Sequence, residues 1–152
     1  MAIAPLPTDG GCRCGAVRFR ISAQPLFTAA CHCRGCQRMT GGAYSLSAAI
    51  PEQGFEVLRG ELAPAGVDPG FGHKACPRCH SWLWTKHPMM QGFVNVRASM
   101  LDDVSWFAPF VETWTQEALP FALIGAPRSY PGFPAMEEYA GLLDAYAAWA
   151  SG

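Results

Sequence analysis

No stretch of the chain approaches the roughly 20 consecutive apolar residues that a membrane-spanning helix requires. The first eleven residues have no positively charged segment followed by an apolar run, so no export signal is expected there. Charge is scarce as well. Only 15% of the 152 residues are charged, and eleven Lys and Arg against twelve Asp and Glu leave a formal net charge of −1. That balance lacks the basic excess of a non-specific nucleic-acid binder. It also means that a local basic patch, rather than the overall field, would have to gather an acidic substrate. Internal repeats, low-complexity segments and a domain linker are all missing, and half the residues are apolar, which excludes disorder. One domain over residues 1–152, large enough for a real core, is the expectation.

Cysteine, by contrast, is plentiful and clustered. All seven fall into three groups: Cys12-Arg13-Cys14, Cys31-His32-Cys33-Arg34-Gly35-Cys36 and Cys76-Pro77-Arg78-Cys79. Soft thiolates select zinc, copper(I) or iron–sulfur centres, and short spacers let neighbouring residues close on one ion. Paired thiols without an export signal read as metal ligands in a reducing compartment, and the odd count fits a fully bridged scaffold poorly. A cytoplasmic protein is therefore expected.

Between the clusters the chain reads as short strands. Residues 16–22 alternate, with Val17, Phe19 and Ile21 on one face and Arg18 and Arg20 on the other. Further strands are expected at residues 44–50, 55–58, 72–75, 81–85, 92–98 and 110–115, the last with a mixed face. Gly10-Gly11 reads as a plain turn or a close approach of backbone to a metal site. Residues 37–42 suggest a turn or helical turn, 63–72 a loop, and Ser99 to Asp102 a capping box with a brief helical turn. Residues 118–129 are too rich in Pro and Gly to place. At the end, Met136, Tyr139, Ala140, Leu143, Tyr146 and Ala147 recur at helical spacing behind Pro134. They predict an amphipathic helix of roughly three turns. Its stripe suits core packing or a subunit contact, and a homodimer is compatible with it. The whole is a mainly β pattern of several small curled antiparallel sheets with a C-terminal helix.

Spacing identifies the ligands more firmly than it pairs them. Cys12 and Cys14 with Cys76 and Cys79 make the simplest closed four-thiolate site, stapling the N-terminal segment to the middle of the chain. Cys31, Cys33 and Cys36 can reach a second ion from one loop, with a fourth position left for water, a substrate sulfur or a side chain. The alternatives are buried thiols unrelated to metal, a single structural zinc with an idle triplet, a redox pair at Cys33 and Cys36, or an iron–sulfur centre. No thioredoxin-like βαβ context supports the redox pair. Arg34 and Arg38 flank the triplet and could offset thiolate charge or receive a substrate carboxylate, if they are not simply solvated. His32 reads as a packing or surface histidine. Of His73, His80 and His87, the residue directly after Cys79 is best placed for a role. Trp82, Trp84, Phe93 and Trp106 read as core, though one could line a pocket.

The runs Gly11-Cys12-Arg13-Cys14-Gly15-Ala16-Val17-Arg18-Phe19, Cys31 to Gly41 and Cys76-Pro77-Arg78-Cys79-His80-Ser81 resemble the glutathione-dependent formaldehyde-activating enzyme (centromere-protein-V-like) family, as does Met100-Leu101-Asp102-Asp103. The likeness covers roughly residues 8–115, leaving 116–152 as an extension. It implies an Mss4-like fold of coiled β-sheets stapled by zinc. The structural zinc would take Cys12, Cys14, Cys76 and Cys79. The catalytic zinc would take Cys31, Cys33 and Cys36, with Arg34 and Arg38 near the co-substrate. The implied activity is that of a carbon–sulfur lyase or synthase joining a glutathione-type thiol to a small aldehyde such as formaldehyde. The partners are small molecules, with neither nucleic acid nor membrane involved. His80 stands where the family usually has Gly. The competing reading is a non-catalytic zinc scaffold that binds a thiol or a protein.

Overall fold

The computed structural model describes residues 2–152. In chain order its elements are β1 (Thr8–Gly11), β2 (Arg18–Ile21), β3 (Thr28–Cys31), α1 (Arg34–Thr40), β4 (Ser45–Pro51), β5 (Phe55–Arg59), β6 (Ala63–Pro64), β7 (His73–Ala75), β8 (Trp82–Thr85), β9 (Phe93–Arg97), β10 (Val111–Thr113), β11 (Arg128–Ser129) and α2 (Tyr139–Ser151). They make two sheets, one of order β1-β2-β5 and one of order β11-β10-β3-β4-β9-β8-β7-β6. Neighbours run antiparallel except at β10, which is parallel to both β3 and β11. The fold is mainly β with a C-terminal helix. No helix among the described residues is long and apolar enough to cross a membrane.

The alternation in residues 16–22 is spent as its period dictates. Val17, Phe19 and Ile21 are fully buried, while Arg18 and Arg20 point outward to Asp102 and Asp9. Phe19 meets Trp84 edge-on at 5.6 Å, which packs the small sheet against the large one. Gly10 and Gly11 form the end of β1 rather than a turn. The backbone they admit is that of the 100s segment. A Cβ on Gly10 would lie 2.5 Å from the Met100 carbonyl oxygen, and Gly10 bridges Leu101.

Other departures from the sequence reading have local causes. Thr28–Cys31 pairs on both sides, although its Ala29-Ala30 centre carries little strand propensity. Thr28 Oγ1 donates to the Ala108 carbonyl at 2.6 Å, and its oxygen accepts from Phe110 N at 3.1 Å. All three residues of β10 are buried where a mixed face was expected, because Val111 packs in the cluster under α2 while Glu112, on the other face, is covered by His32 and the backbone at Ile124. A single 3-10 turn does form at Ala98–Met100, but no side chain caps it.

The C-terminal helix presents a rotated face. Leu142, Tyr146 and Ala150 are buried, whereas Met136, Ala140 and Ala147 are exposed. Tyr146 and Trp149 pack on Phe110, so the apolar stripe is used within the chain, against β3 and β10.

Register also fixes where the cysteines lie. Cys31 ends β3 and sits opposite Ser45, the first residue of β4. Arg97 ends β9 opposite Ser47, and β8 begins three residues after Cys79. Both cysteine clusters therefore flank one end of the large sheet.

Candidate metal centres and the cavity beside them

Cys12, Cys14, Cys76 and Cys79 bring four sulfurs within 4.8 Å of one another. Zinc–sulfur bonds of about 2.3 Å at tetrahedral angles separate sulfurs by about 3.8 Å. Cys12 Sγ lies 3.6 Å from Cys14 Sγ, and Cys14 Sγ lies 3.8 Å from Cys76 Sγ. Both separations match tetrahedral zinc, and the four-thiolate donor set suits that ion. Backbone N–H groups already solvate these sulfurs. Val17 N donates to Cys12 Sγ at 3.3 Å, and Arg78 N and Cys79 N to Cys76 Sγ at 3.4 and 3.5 Å. This is the knuckle turn that Pro77 favours, closed by His80 N donating to Cys76 O at 2.9 Å. The Ser81 hydroxyl, 3.3 Å from Cys79 Sγ, leads the interactions that pull the Cys79 thiol down to about 5.

The triplet has a different geometry. Cys31, Cys33 and Cys36 also bring their sulfurs within 4.8 Å of one another, but among the described residues no fourth Cys, His or carboxylate joins them. Cys33 caps α1, its sulfur accepting from Cys36 N at 3.2 Å. The first helical turn thus folds Cys36 back toward Cys33, and Cys31 arrives from β3. Cys36 donates its thiol hydrogen toward Cys31, and Thr113 and the Cys33 N–H add to this. Together they outweigh burial and pull the Cys31 thiol down to about 5. Cys36 shifts the opposite way, first through that same bond and then through burial. Cys31 is therefore the first of the three to lose its proton.

Beneath the triplet lies a buried hydrogen-bonded pair that the sequence does not announce. His32 Nε2 is 2.8 Å from Glu112 Oε1, with both side chains at most 2% exposed. The same carboxylate accepts from Ile124 N at 2.7 Å and Ala126 N at 3.5 Å, which ties the C-terminal extension to the triplet loop. Gln37, also buried, donates to His32 O at 2.7 Å and Glu117 O at 3.0 Å. Glu112 sits in a short strand with no motif around it, and only tertiary contact reveals it.

Arg34 is exposed and bonds the Gln37 side chain. Arg38 is exposed too. Neither lines the cavity at this sheet end. That cavity, of about 340 Å³, is walled by Met39, Tyr44, His80, Trp82, Arg97 and Met100 among others, and it lies at the small end of small-molecule sites. His80 belongs to neither cysteine group. Its φ of +64° occupies the left-handed region where glycine is the default. His73 bonds Thr85 Oγ1 at 2.7 Å and stacks on Phe71. Trp82, Trp84 and Trp106 are buried. Arg97 was not singled out by its sequence context, yet it is the buried cation of the cavity.

Fold and site together define a small β protein with two cysteine clusters at metal-ligand spacing, one complete and one a ligand short. Sequence comparison makes the class specific. The chain belongs to the glutathione-dependent formaldehyde-activating enzyme family, whose sequence model matches residues 7–117. A Halomonas elongata protein named "Putative glutathione-dependent formaldehyde-activating enzyme" is 34% identical over 103 residues, 62% of this chain and 65% of that protein. The chain thus spans a little under two thirds of that relative's length. A crystal structure of a Rhodobacter sphaeroides protein has a similar fold, with a TM-score of 0.50 at 18% identity over 80% of this chain and 98% of that one.

Proposed function

We propose that the chain binds two zinc ions and catalyses carbon–sulfur bond formation and cleavage between a glutathione-type thiol and a small aldehyde, formaldehyde being the family's namesake. The observation that carries this reading is the triplet: three convergent sulfurs beside a cavity, with a fourth ligand missing among the described residues. Cys12, Cys14, Cys76 and Cys79 would hold the structural ion. Cys31, Cys33 and Cys36 would hold the catalytic one, whose chemistry when bound is to lower the pKa of a coordinated thiol and to polarise a carbonyl.

The chain's own residues shape the rest. The Thr113 hydroxyl and the Cys33 N–H favour the anionic form of Cys31, and the Cys36 N–H at the start of α1 fixes the position of the Cys33 sulfur. The Glu112–His32 pair and Gln37 fix the loop that carries them. Met39, Tyr44 and Trp82 would supply an apolar wall for the bound substrate. In the forward direction the substrate sulfur bonds to the carbonyl carbon, the π pair moves to oxygen, and the thiol's proton ends on the new hydroxyl. The reverse step returns thiol and aldehyde. Arg34 and Arg38, exposed on α1 within and just after the triplet, would serve as anion contacts for the co-substrate. Free thiols serving as ligands suit a reducing compartment such as the cytoplasm.

Because thiol and aldehyde combine without a catalyst, the test is exchange rather than yield. Magnetisation-transfer NMR with ¹³C-formaldehyde and glutathione should show exchange accelerated by the zinc-loaded protein, with the acceleration lost in Cys33→Ala. An unchanged exchange rate, or full acceleration in Cys33→Ala, contradicts the reading.

A further inference from the structure

Arg97 is 6% exposed and carries no acidic partner. Among the described residues, its side-chain bonds are two from Nη2, to the Asn95 carbonyl at 3.2 Å and a long one to Thr85 Oγ1 at 3.4 Å. Its Nε–H is buried without a partner, and so is the indole N–H of Trp82. The guanidinium lies 4.1 Å over the Trp82 ring, a stacking that fixes its plane while its Nε–H stays unpaired. Both residues line the cavity. Both unpaired atoms are donors, so the space beside them calls for an acceptor, and a buried cation calls for an anionic one.

The register places this acceptor position near the triplet. Cys31 pairs with Ser45, and Ser47 pairs with Arg97. Successive even steps along β4 keep one face, so the Cys31 and Arg97 side chains project to the same side of the sheet, from backbone positions about 12 Å apart. Burial drops the Arg97 guanidinium to about 10. It stays protonated at neutral pH. A cation serving only to balance the thiolates would need no cavity beside it.

We infer that the cavity is a carboxylate-binding site, in which Arg97 with the Trp82 indole N–H receives a carboxylate carried by one of the two substrates that meet at the triplet. The inference rests on the triplet being the reaction centre and names what its substrate must carry. The carboxylate comes either from the thiol, as in a peptide thiol of the glutathione kind, or from the aldehyde, as in a 2-oxo acid such as glyoxylate.

Calorimetry on the zinc-loaded protein separates these cases and separates this inference from the proposed reaction. Glutathione, its diethyl ester, S-methylglutathione and glyoxylate are titrated into the wild type, Arg97→Lys and Arg97→Gln, with zinc content measured for each. If the thiol carries the carboxylate, the diester binds the wild type about ten- to a hundredfold more weakly than glutathione. Arg97→Gln then removes that difference, and Arg97→Lys restores it only in part. S-methylglutathione, which keeps the carboxylates but has no thiol, retains the Arg97 dependence even if the thiol reaction is absent. If the aldehyde carries it, glyoxylate shows the Arg97 dependence instead. The inference is overturned if glutathione and its diester bind the wild type equally and glyoxylate shows no Arg97 dependence. It is also overturned if Arg97→Gln weakens all four probes alike while losing zinc. Should Arg97→Gln fail to fold, glutathione against its ester and glyoxylate against formaldehyde, all on the wild type, still decide.

Discussion

Replacing Glu112 with alanine strips a buried network of its acceptor. Two good bonds vanish, from His32 Nε2 at 2.8 Å and Ile124 N at 2.7 Å, along with the long one from Ala126 N. His32 Nδ1 already has no partner, so the variant leaves the ring without any hydrogen bond in a fully buried position. Each stranded donor costs about 1–3 kcal/mol, and the His32, Ile124 and Ala126 N–H groups all lose their acceptor. A loss of about 3–5 kcal/mol is expected, a large fraction of the roughly 5–15 kcal/mol that holds a domain of this kind together. Urea unfolding of the zinc-loaded protein reads it directly, and Tm should fall by about 6–20 °C. The pH dependence gives an independent check. Burial alone would push the Glu112 carboxyl up, but the Ile124 N–H, the His32 ring and the Ala126 N–H outweigh it and hold it below its ordinary value. A depressed carboxyl contributes stability that is fully present above about pH 4.5 and is lost as pH falls through its folded-state value. Wild type and Glu112→Ala should therefore converge in acid. A loss under about 1 kcal/mol at neutral pH, or a gap that widens in acid, refutes the network's role.

Three smaller perturbations test particular elements. Gly141 lies exposed inside α2 with nothing within 4 Å of an added Cβ, so Gly141→Ala should gain about 1 kcal/mol and raise Tm by about 2–4 °C. His80 holds a left-handed backbone. His80→Gly should relieve about 1 kcal/mol of strain, partly offset by greater freedom of the unfolded chain, and chemical denaturation should show a net gain of about 0.5 kcal/mol. Gly72→Ala goes the other way. Its Cβ would lie 2.2 Å from the Lys86 carbonyl oxygen at φ +91°, and a loss above about 2 kcal/mol is expected in the same assay.

What could be read in advance follows from how local each signal is. Period-two alternation exposed β2 because Val17, Phe19 and Ile21 are buried by one face of one strand. Thiol spacing exposed both clusters because a knuckle closes within four residues. Thr28–Cys31 escaped notice since its strand character comes from pairing with β4 and β10 rather than from its own residues. The face of α2 was misread by about one position, because Ala140 and Ala147 fit the helical period as well as Leu142 and Ala150 do. Only docking on Phe110 decides between them. Glu112 and Arg97 sit in short strands, and what buries them comes from other segments: His32 and the 124–126 backbone for Glu112, and the Trp82 ring for Arg97. Nothing in their neighbours distinguishes them. The Gly that the family usually places after the second knuckle has a physical reason: the backbone there is left-handed, and His80 adopts it at a cost.

The most direct test of the central claim is native mass spectrometry of the zinc-loaded wild type, Cys33→Ala and Cys76→Ala, before and after a weak chelator. The account predicts two zinc ions on the wild type, one of them surrendered to the chelator and shielded by added glutathione. It predicts a folded Cys33→Ala protein with one tightly held ion, and a Cys76→Ala protein that no longer folds. A wild type that holds a single ion under metal-replete, reducing conditions, or one whose two ions leave together and without regard to glutathione, contradicts it.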